Sequence, residues 1–221
     1  MDADRVLPAS PAVKGRRYDA SRRRAEAART RDRVLDVAER MLLDDGFAAT
    51  SVAAIARAAG VSPELVYKVC GGKAGLVRAI VNRALLGQGT VPAETRSDAV
   101  AATDIDARSL LLEWSRLATE VSPLGSPIVL LVRSGAAADP VLAALLDEIS
   151  DLRLERMALN AARLVQHPGV RPELSVDQVR DVLWTYSAPA LYDLLVVQRG
   201  WAVDRFGDFI FRGMSGQLLE T

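Results

Sequence analysis

The stretch from Thr50 to Lys73, TSVAAIARAAGVSPELVYKVCGGK, limits what this chain can fold into more than any other. Val52, Ile55, Ala56 and Ala59 recur at helical spacing and give a short helix one apolar face. Gly60 then supplies the positive φ that a sharp turn needs. Ser62-Pro63-Glu64 starts a second helix: a side-chain cap, a proline whose missing N–H costs nothing at the first position, and an acid near the positive end. Leu65, Val66 and Val69 can point inward, leaving Glu64, Tyr67 and Lys68 outside. Two helices joined by such a turn make a helix-turn-helix, whose second helix fits the DNA major groove.

The ordered set around this motif is Gly46-Phe47, Thr50-Ser51, Ile55-Ala56, Ala59-Gly60-Val61-Ser62, Tyr67, and Lys73 ahead of Leu76. It resembles the DNA-binding domain of tetracycline-repressor-type (TetR/AcrR) transcriptional regulators. Two departures stand out: Cys70 occupies a place where the family commonly has an aromatic, and Gly71-Gly72 replaces a more polar turn. The resemblance implies that Thr50, Ser51 and Lys73 match positions that hold phosphates. Ser62, Pro63, Glu64, Tyr67 and Lys68 are placed at base edges or nearby phosphates. Glu64 can accept from a cytosine N4 amine, and Lys68 can donate to guanine.

Charge supports the same end of the molecule. The formal net charge of the 221 residues is zero, but residues 14–88 hold 15 basic and 8 acidic side chains, against 13 and 20 elsewhere. The basic excess therefore coincides with the motif, as a phosphate-binding surface requires. Much of it is arginine on one helix, expected from about Ser21 to Asp44: Arg22, Arg23 and Arg24, with Arg29, Arg31 and Arg33, of which some meet the DNA backbone. Val34, Val37, Ala38, Met41 and Leu42 form its inward stripe, Gly46 can terminate it, and Phe47 plugs the core under the motif.

Three segments follow from composition. Residues 1–20, with Pro8, Pro11 and Gly15, are expected to be a mobile basic arm; Lys14, Arg16 and Arg17 either follow phosphates or a minor groove, or serve a solubilising tail. Residues 21–88 are the DNA-binding domain with a connecting fourth helix from Lys73 to about Leu86. Gly87 to Asp98 crowds Gly, Pro and Thr together, which places a boundary there and leaves residues 89–221 as a second domain.

That second domain reads as helical throughout, so the class is all-α. Helices are expected over 105–121, interrupted at Pro123 and Gly125, and again from Ile128 to Val132. Asp139-Pro140 starts one that runs to about Val165, and Ser175–Gln178 has capping-box spacing ahead of a helix running to Gln198. A last helix covers Val203 to Leu219. Leu191, Leu194, Leu195, Phe206, Phe209, Ile210 and Met214 make the last two helices more apolar than a small domain needs. The resemblance implies that they form a four-helix dimer interface with a second copy; the sequence by itself allows core equally.

Catalytic chemistry finds little to work with. The single histidine, His167, lies at a helix end far in sequence from the single cysteine, Cys70, and no CxxC, HExxH, GxSxG or P-loop spacing occurs. No catalytic residue, metal site or cofactor is expected. Glu148, Asp151 and Glu155 can share a helical face, but such runs are commonly solvated. One cysteine excludes an internal disulfide and suits a reducing cytoplasm. No apolar run approaches a membrane span, and residues 1–20 lack the apolar core of an export signal.

For the second domain the resemblance implies an effector pocket between helices. Trp114, Arg133, Met157, Asn160 and Trp184 are its candidate lining, as large surfaces with a few polar handles, although each taken singly also reads as ordinary core or surface. The expected function is a homodimeric regulator, a repressor that a small molecule releases from a palindromic operator. The alternative is a DNA-anchored protein-interaction module without a small-molecule effector.

Overall fold

The computed structural model describes the backbone of residues 14–87 and 89–220 and the side chains of residues 22–87 and 89–220. Among these residues there are ten α-helices and no strand; the only sheet-like feature is an isolated antiparallel bridge between Val170 and Leu219. Of the arm expected over 1–20, residues 1–13 lie outside the described residues, and the backbone is helical from Lys14.

Four helices build the first layer. Helix α1 (Lys14–Ala49) bends at Gly46, where φ is 84° and the regular helix ends as the sequence suggests. α2 (Val52–Ala59) is capped by Ser51, whose hydroxyl accepts from the Ala54 N–H, and is closed by Gly60 in the left-handed region. α3 (Pro63–Cys70) begins under the Ser62 cap, and α4 (Lys73–Ala84) follows after two glycines. The faces read from the sequence bury as expected at Val34, Val37, Ala38, Leu42, Phe47, Val52, Ile55, Ala56, Ala59 and Val66. Val69 does not: it is 43 % exposed. α3 is only eight residues long, and its buried contact is concentrated at Val66.

The connecting stretch is less open than its composition suggests, because Pro92 starts a further helix, α5 (Ala93–Ala101). α6 (Ala107–Gly135) then corrects a second expectation. It runs unbroken through Pro123 and Pro127, where the sequence predicts an interruption. Each internal proline removes a helical hydrogen bond, a local cost of about 3 kcal/mol. Packing against α1, α4 and α5 on one side and the later helices on the other offsets that cost. The front of α6 (Leu110, Leu111, Trp114) belongs to the C-terminal core; its rear (Ile128, Val129, Val132) belongs to the N-terminal core, with Leu142 and Leu145 of α7 (Pro140–Leu164).

Asp139 caps α7, and the capping box at Ser175 and Gln178 opens α8 (Val176–Tyr186), both as the sequence predicts. The helix expected to continue to Gln198 instead stops at Ser187. Ala188 is extended, because the proline that follows it disfavours the helical region for the residue ahead. A short α9 (Pro189–Tyr192) passes into a π-helical turn, Asp193–Gln198, before α10 (Val203–Leu218).

One contact fixes how α4 meets α3. A Cβ built on Gly75 would lie 1.5 Å from the carbonyl oxygen of Cys70, a backbone atom that cannot move aside cheaply. Gly75→Ala is therefore expected to destabilise the protein by about 1–3 kcal/mol through overpacking. The measurement is thermal or urea unfolding of the full chain; an unchanged midpoint would mean that α4 can shift freely against α3.

Candidate functional site

Two regions collect the functional candidates: the outer face of α3 with its basic surroundings, and a cavity between α4 and the later helices. On α3, Glu64, Tyr67 and Lys68 all point to solvent, with Tyr67 58 % exposed. Pro63 is half-buried at the helix start, beside the exposed cap Ser62. The Glu64 carboxyl is held below the usual carboxylate range by its own backbone N–H and the Ser62 hydroxyl. It is therefore an acceptor-only group at neutral pH, as pairing with an exocyclic amine requires.

Arg22, Arg23 and Arg24 are exposed on the front of α1. Arg23 and Arg31 border a shallow cleft of about 220 Å³ against Leu65, Val66 and Val69, so the basic front of α1 and the α3 helix share one surface. Arg33 has a different task. Its Nε–H donates to the carbonyl of Ala59 at 3.0 Å and caps the end of α2.

Two of the phosphate candidates behave differently from expectation. Thr50 is only 1 % exposed, and its hydroxyl is committed to the carbonyl of Gly46 at 2.8 Å, with the Met41 carbonyl 3.1 Å away. Its side chain is sealed from any phosphate, which corrects the sequence reading; the exposed hydroxyl at this corner is that of Ser51. Lys73 turns inward across the same corner. Its ammonium donates to the Phe47 carbonyl at 2.6 Å and the Thr50 carbonyl at 2.9 Å and sits 4.0 Å from the centre of the Phe47 ring. A half-buried lysine thus ties the start of α4 to the start of α2.

The cavity has a volume of about 600 Å³ and lies among α4, α5, α6, α7, α8 and α10. Trp114, Arg133, Met157 and Asn160 line it, as expected from sequence. Trp184 does not, a correction with a simple cause: on α8 its neighbour Leu183 takes the inward position. The Trp184 ring lies behind the wall instead, 4.3 Å from the guanidinium of Arg153, which does line the cavity. Sequence reasoning missed Arg153 although the signal was present. Ile149, Arg153, Met157 and Asn160 follow a four-four-three spacing that places them on one face of α7.

Also missed was the pair Arg78–Glu148, which joins α4 to α7 at the cavity edge. The Arg78 Nε–H lies 2.7 and 2.8 Å from the two carboxylate oxygens, and Nη2 is 2.6 Å from one of them. The guanidinium holds the Glu148 carboxyl below its usual range. Glu148, read as one of a solvated acidic run, therefore has a defined partner.

The dimer candidates divide. Phe206 (1 % exposed), Ile210 (1 %) and Met214 (4 %) are sealed in the core of their own chain, so they cannot face a second copy in this conformation. Their four-residue spacing is the inward stripe of α10. Leu191, Leu195 and Phe209 are half-buried against that core, and Leu194 is exposed with its neighbour Val197.

Residues 34–80 match the model for bacterial regulatory proteins of the tetR family. This segment of the chain is thus similar to the N-terminal domain of tetR-family regulators. Solved structures extend the likeness over the TetR fold. NalD, the secondary repressor of the MexAB-OprM multidrug efflux pump in Pseudomonas aeruginosa, aligns with a TM-score of 0.67 at 18% identity, over 89% of this chain and 98% of its own. SmeT in its complex with triclosan aligns at 0.67 and 18% identity, over 86% and 92%. A TetR transcriptional regulator from Chloroflexus aurantiacus aligns at 0.62 and 14% identity, over 89% and 100%. At these identities the likeness is one of fold. A comparison with curated proteins finds no match. Among the described residues, no helix is long and apolar enough to cross a membrane. None of their His, Cys, Asp and Glu side chains group in threes as a metal site requires.

The inward Lys73 generates a test. Lys73→Met keeps the aliphatic stem over Phe47 and removes two charge-assisted hydrogen bonds, so unfolding is expected at lower temperature, with about 1.5–3 kcal/mol lost. An unchanged melting midpoint would return the ammonium to solvent and to phosphate duty.

Proposed function

We propose that this protein is a homodimeric, sequence-specific transcriptional repressor of the TetR family, released from a palindromic operator by a small-molecule effector. The observation that carries the reading is the outward display of Glu64, Tyr67 and Lys68 on α3 beside the basic front of α1. Glu64 and Lys68 are the base-reading candidates, and Ser51, Arg22, Arg23 and Arg24 are the phosphate candidates. Ser62 and Pro63 set the helix start that orients them. We take residues 21–88 as the DNA-binding unit and residues 89–221 as the effector and dimer unit. α6 and α7 reach back from the second unit into the core of the first.

Release follows from where the cavity sits. α4 forms part of its wall through Arg78, Val81, Asn82 and Ala84, and the same helix is tied by Lys73 to the corner that supports α2 and α3. A ligand that binds better when α4 is displaced from α7 also displaces the recognition helices. A coupling of about 1–3 kcal/mol changes operator affinity roughly 5- to 150-fold. The Arg78–Glu148 pair is the contact such a displacement breaks first. That SmeT, a protein of this fold, forms a complex with triclosan supports a small-molecule ligand for this chain as well. For dimerisation we retain Leu191, Leu194, Leu195 and Phe209, adding Val197.

The alternative, a DNA-anchored interaction module with no effector, predicts the same DNA surface without a response to ligand. The cavity of about 600 Å³ favours the effector reading, since sites for small molecules fall in this range.

The test is selection of bound duplexes from a random pool at two salt concentrations. A palindrome with half-sites about 34–36 Å apart, or a multiple of that, is expected, with affinity falling steeply as salt rises. Lys68→Ala should then relax preference at one base pair of each half-site. Recovery of no sequence would leave only a non-specific anchor, and uniform weakening by Lys68→Ala would assign that residue to the phosphate backbone.

A further inference from the structure

Two of the arginines that border the cavity have no carboxylate partner among the described residues. Four arginines border it. Two are matched, Arg78 by Glu148 and Arg156 by Asp98 at 2.6 Å. Arg153 and Arg133 are not: among the described residues neither has a carboxylate partner, and the Arg133 side chain makes no hydrogen bond. The remaining acids of the lining, Glu94 and Glu155, bond to neither of them.

Arg153 is held in place by neutral groups. Its Nη1 donates to the Trp184 carbonyl at 2.5 Å and to the Ser187 hydroxyl at 2.8 Å, and the guanidinium stacks on the Trp184 ring. Its Nε–H and Nη2 donors have no acceptor among the described residues. Burial, followed by the like charge of Arg133, brings its pKa down to about 10, so it remains a cation at neutral pH. Close by in the lining, Trp114 is buried and its indole N–H, a donor only, also lacks an acceptor. Arg153 and Trp114 thus hold unpaired donors at this wall, while Glu94 and Glu155 border the cavity as well. The rest of the lining is largely apolar, with Leu117, Met157 and Leu183 among it.

We propose that the cavity binds an organic anion with an apolar body, its carboxylate or sulfonate held by Arg153 and Arg133 and its body lying on Trp114, Met157 and Leu183. The proposal rests on the reading of this cavity as the effector site. A neutral ligand would leave the free donors of Arg153 and the Trp114 indole N–H without a charged acceptor. A small hydrated anion would leave the apolar wall uncovered.

The test uses the full-length protein with N-phenyl-1-naphthylamine, a neutral fluorescent probe of apolar cavities, displaced by decanoate or by decan-1-ol at the same pH. Decanoate should displace the probe at a concentration at least about tenfold lower than the alcohol, the range expected of hydrogen bonds to a charged group. Arg153→Met and Arg133→Met should each narrow that gap while leaving the probe and the alcohol bound as before. Equal displacement by acid and alcohol, or a gap that survives both substitutions, overturns the anion proposal and leaves the cavity as a neutral-ligand site. No displacement by either ligand instead removes the effector-cavity reading itself. Should Arg153→Met lose the probe through misfolding, Arg133→Met decides, because Arg133 is exposed and its side chain makes no bond that folding depends on.

Discussion

The continuity of α6 is the constraint on which the rest of the molecule depends. One helix of 29 residues supplies side chains to both hydrophobic cores, its front half to the C-terminal one and its rear half to the N-terminal one. Two prolines inside it weaken its backbone ladder, so tertiary packing rather than helix propensity keeps it straight enough to serve both. A structure joined in this way does not have two independently adjustable halves. Whatever repacks one end of α6 is felt at the other, because close-packed interiors transmit strain instead of absorbing it.

Against that spine, α4 is held by contacts of very different kinds at its two ends. At its start the Lys73 ammonium satisfies two carbonyls at the corner before α2, and Gly75 lets the backbone of α3 approach closely. Further along, Ala79, Ile80 and Ala84 are buried, and ion pairs flank them: Arg83 reaches Asp36 and Glu39 of α1, both at 2.6 Å, and Arg78 reaches Glu148 of α7. Exposed ion pairs contribute little net stability, typically about 0–1 kcal/mol, and rearrange at little cost. α4 thus joins the helix-turn-helix through Lys73 and Gly75 and the later helices through its buried face, with the exposed Arg78–Glu148 pair as the contact that rearranges at least cost.

Much of this was legible in the chain itself, for identifiable reasons. The helix-turn-helix is local: a cap, a proline, a glycine and short-range periodicity specify it, and Ser51, Gly60 and Ser62 do in the structure what their chemistry predicts. Caps at Asp139 and Ser175 were equally readable. What escaped were matters settled by distant partners. Pro123 and Gly125 look like a break until the helices on both sides of α6 are in place. Thr50 and Lys73 look like surface donors until the chain folds back and presents carbonyls to them. Ala188 is a different case, since the proline after it announced the end of α8. On α10, periodicity separated Phe206, Ile210 and Met214 from Phe209, but only the fold says which stripe faces inward.

The close approach at Gly75 also bears on how such a protein can change over generations. Glu64 and Lys68 project from α3 into solvent, so replacing them comes at little expense to folding and, on the function proposed above, alters what that surface reads. Gly75 has no such freedom, since every other residue brings a Cβ into the Cys70 carbonyl. Recognition can therefore drift while the platform stays fixed. Descendants of one gene could come to address different DNA sites without first passing through an unstable intermediate.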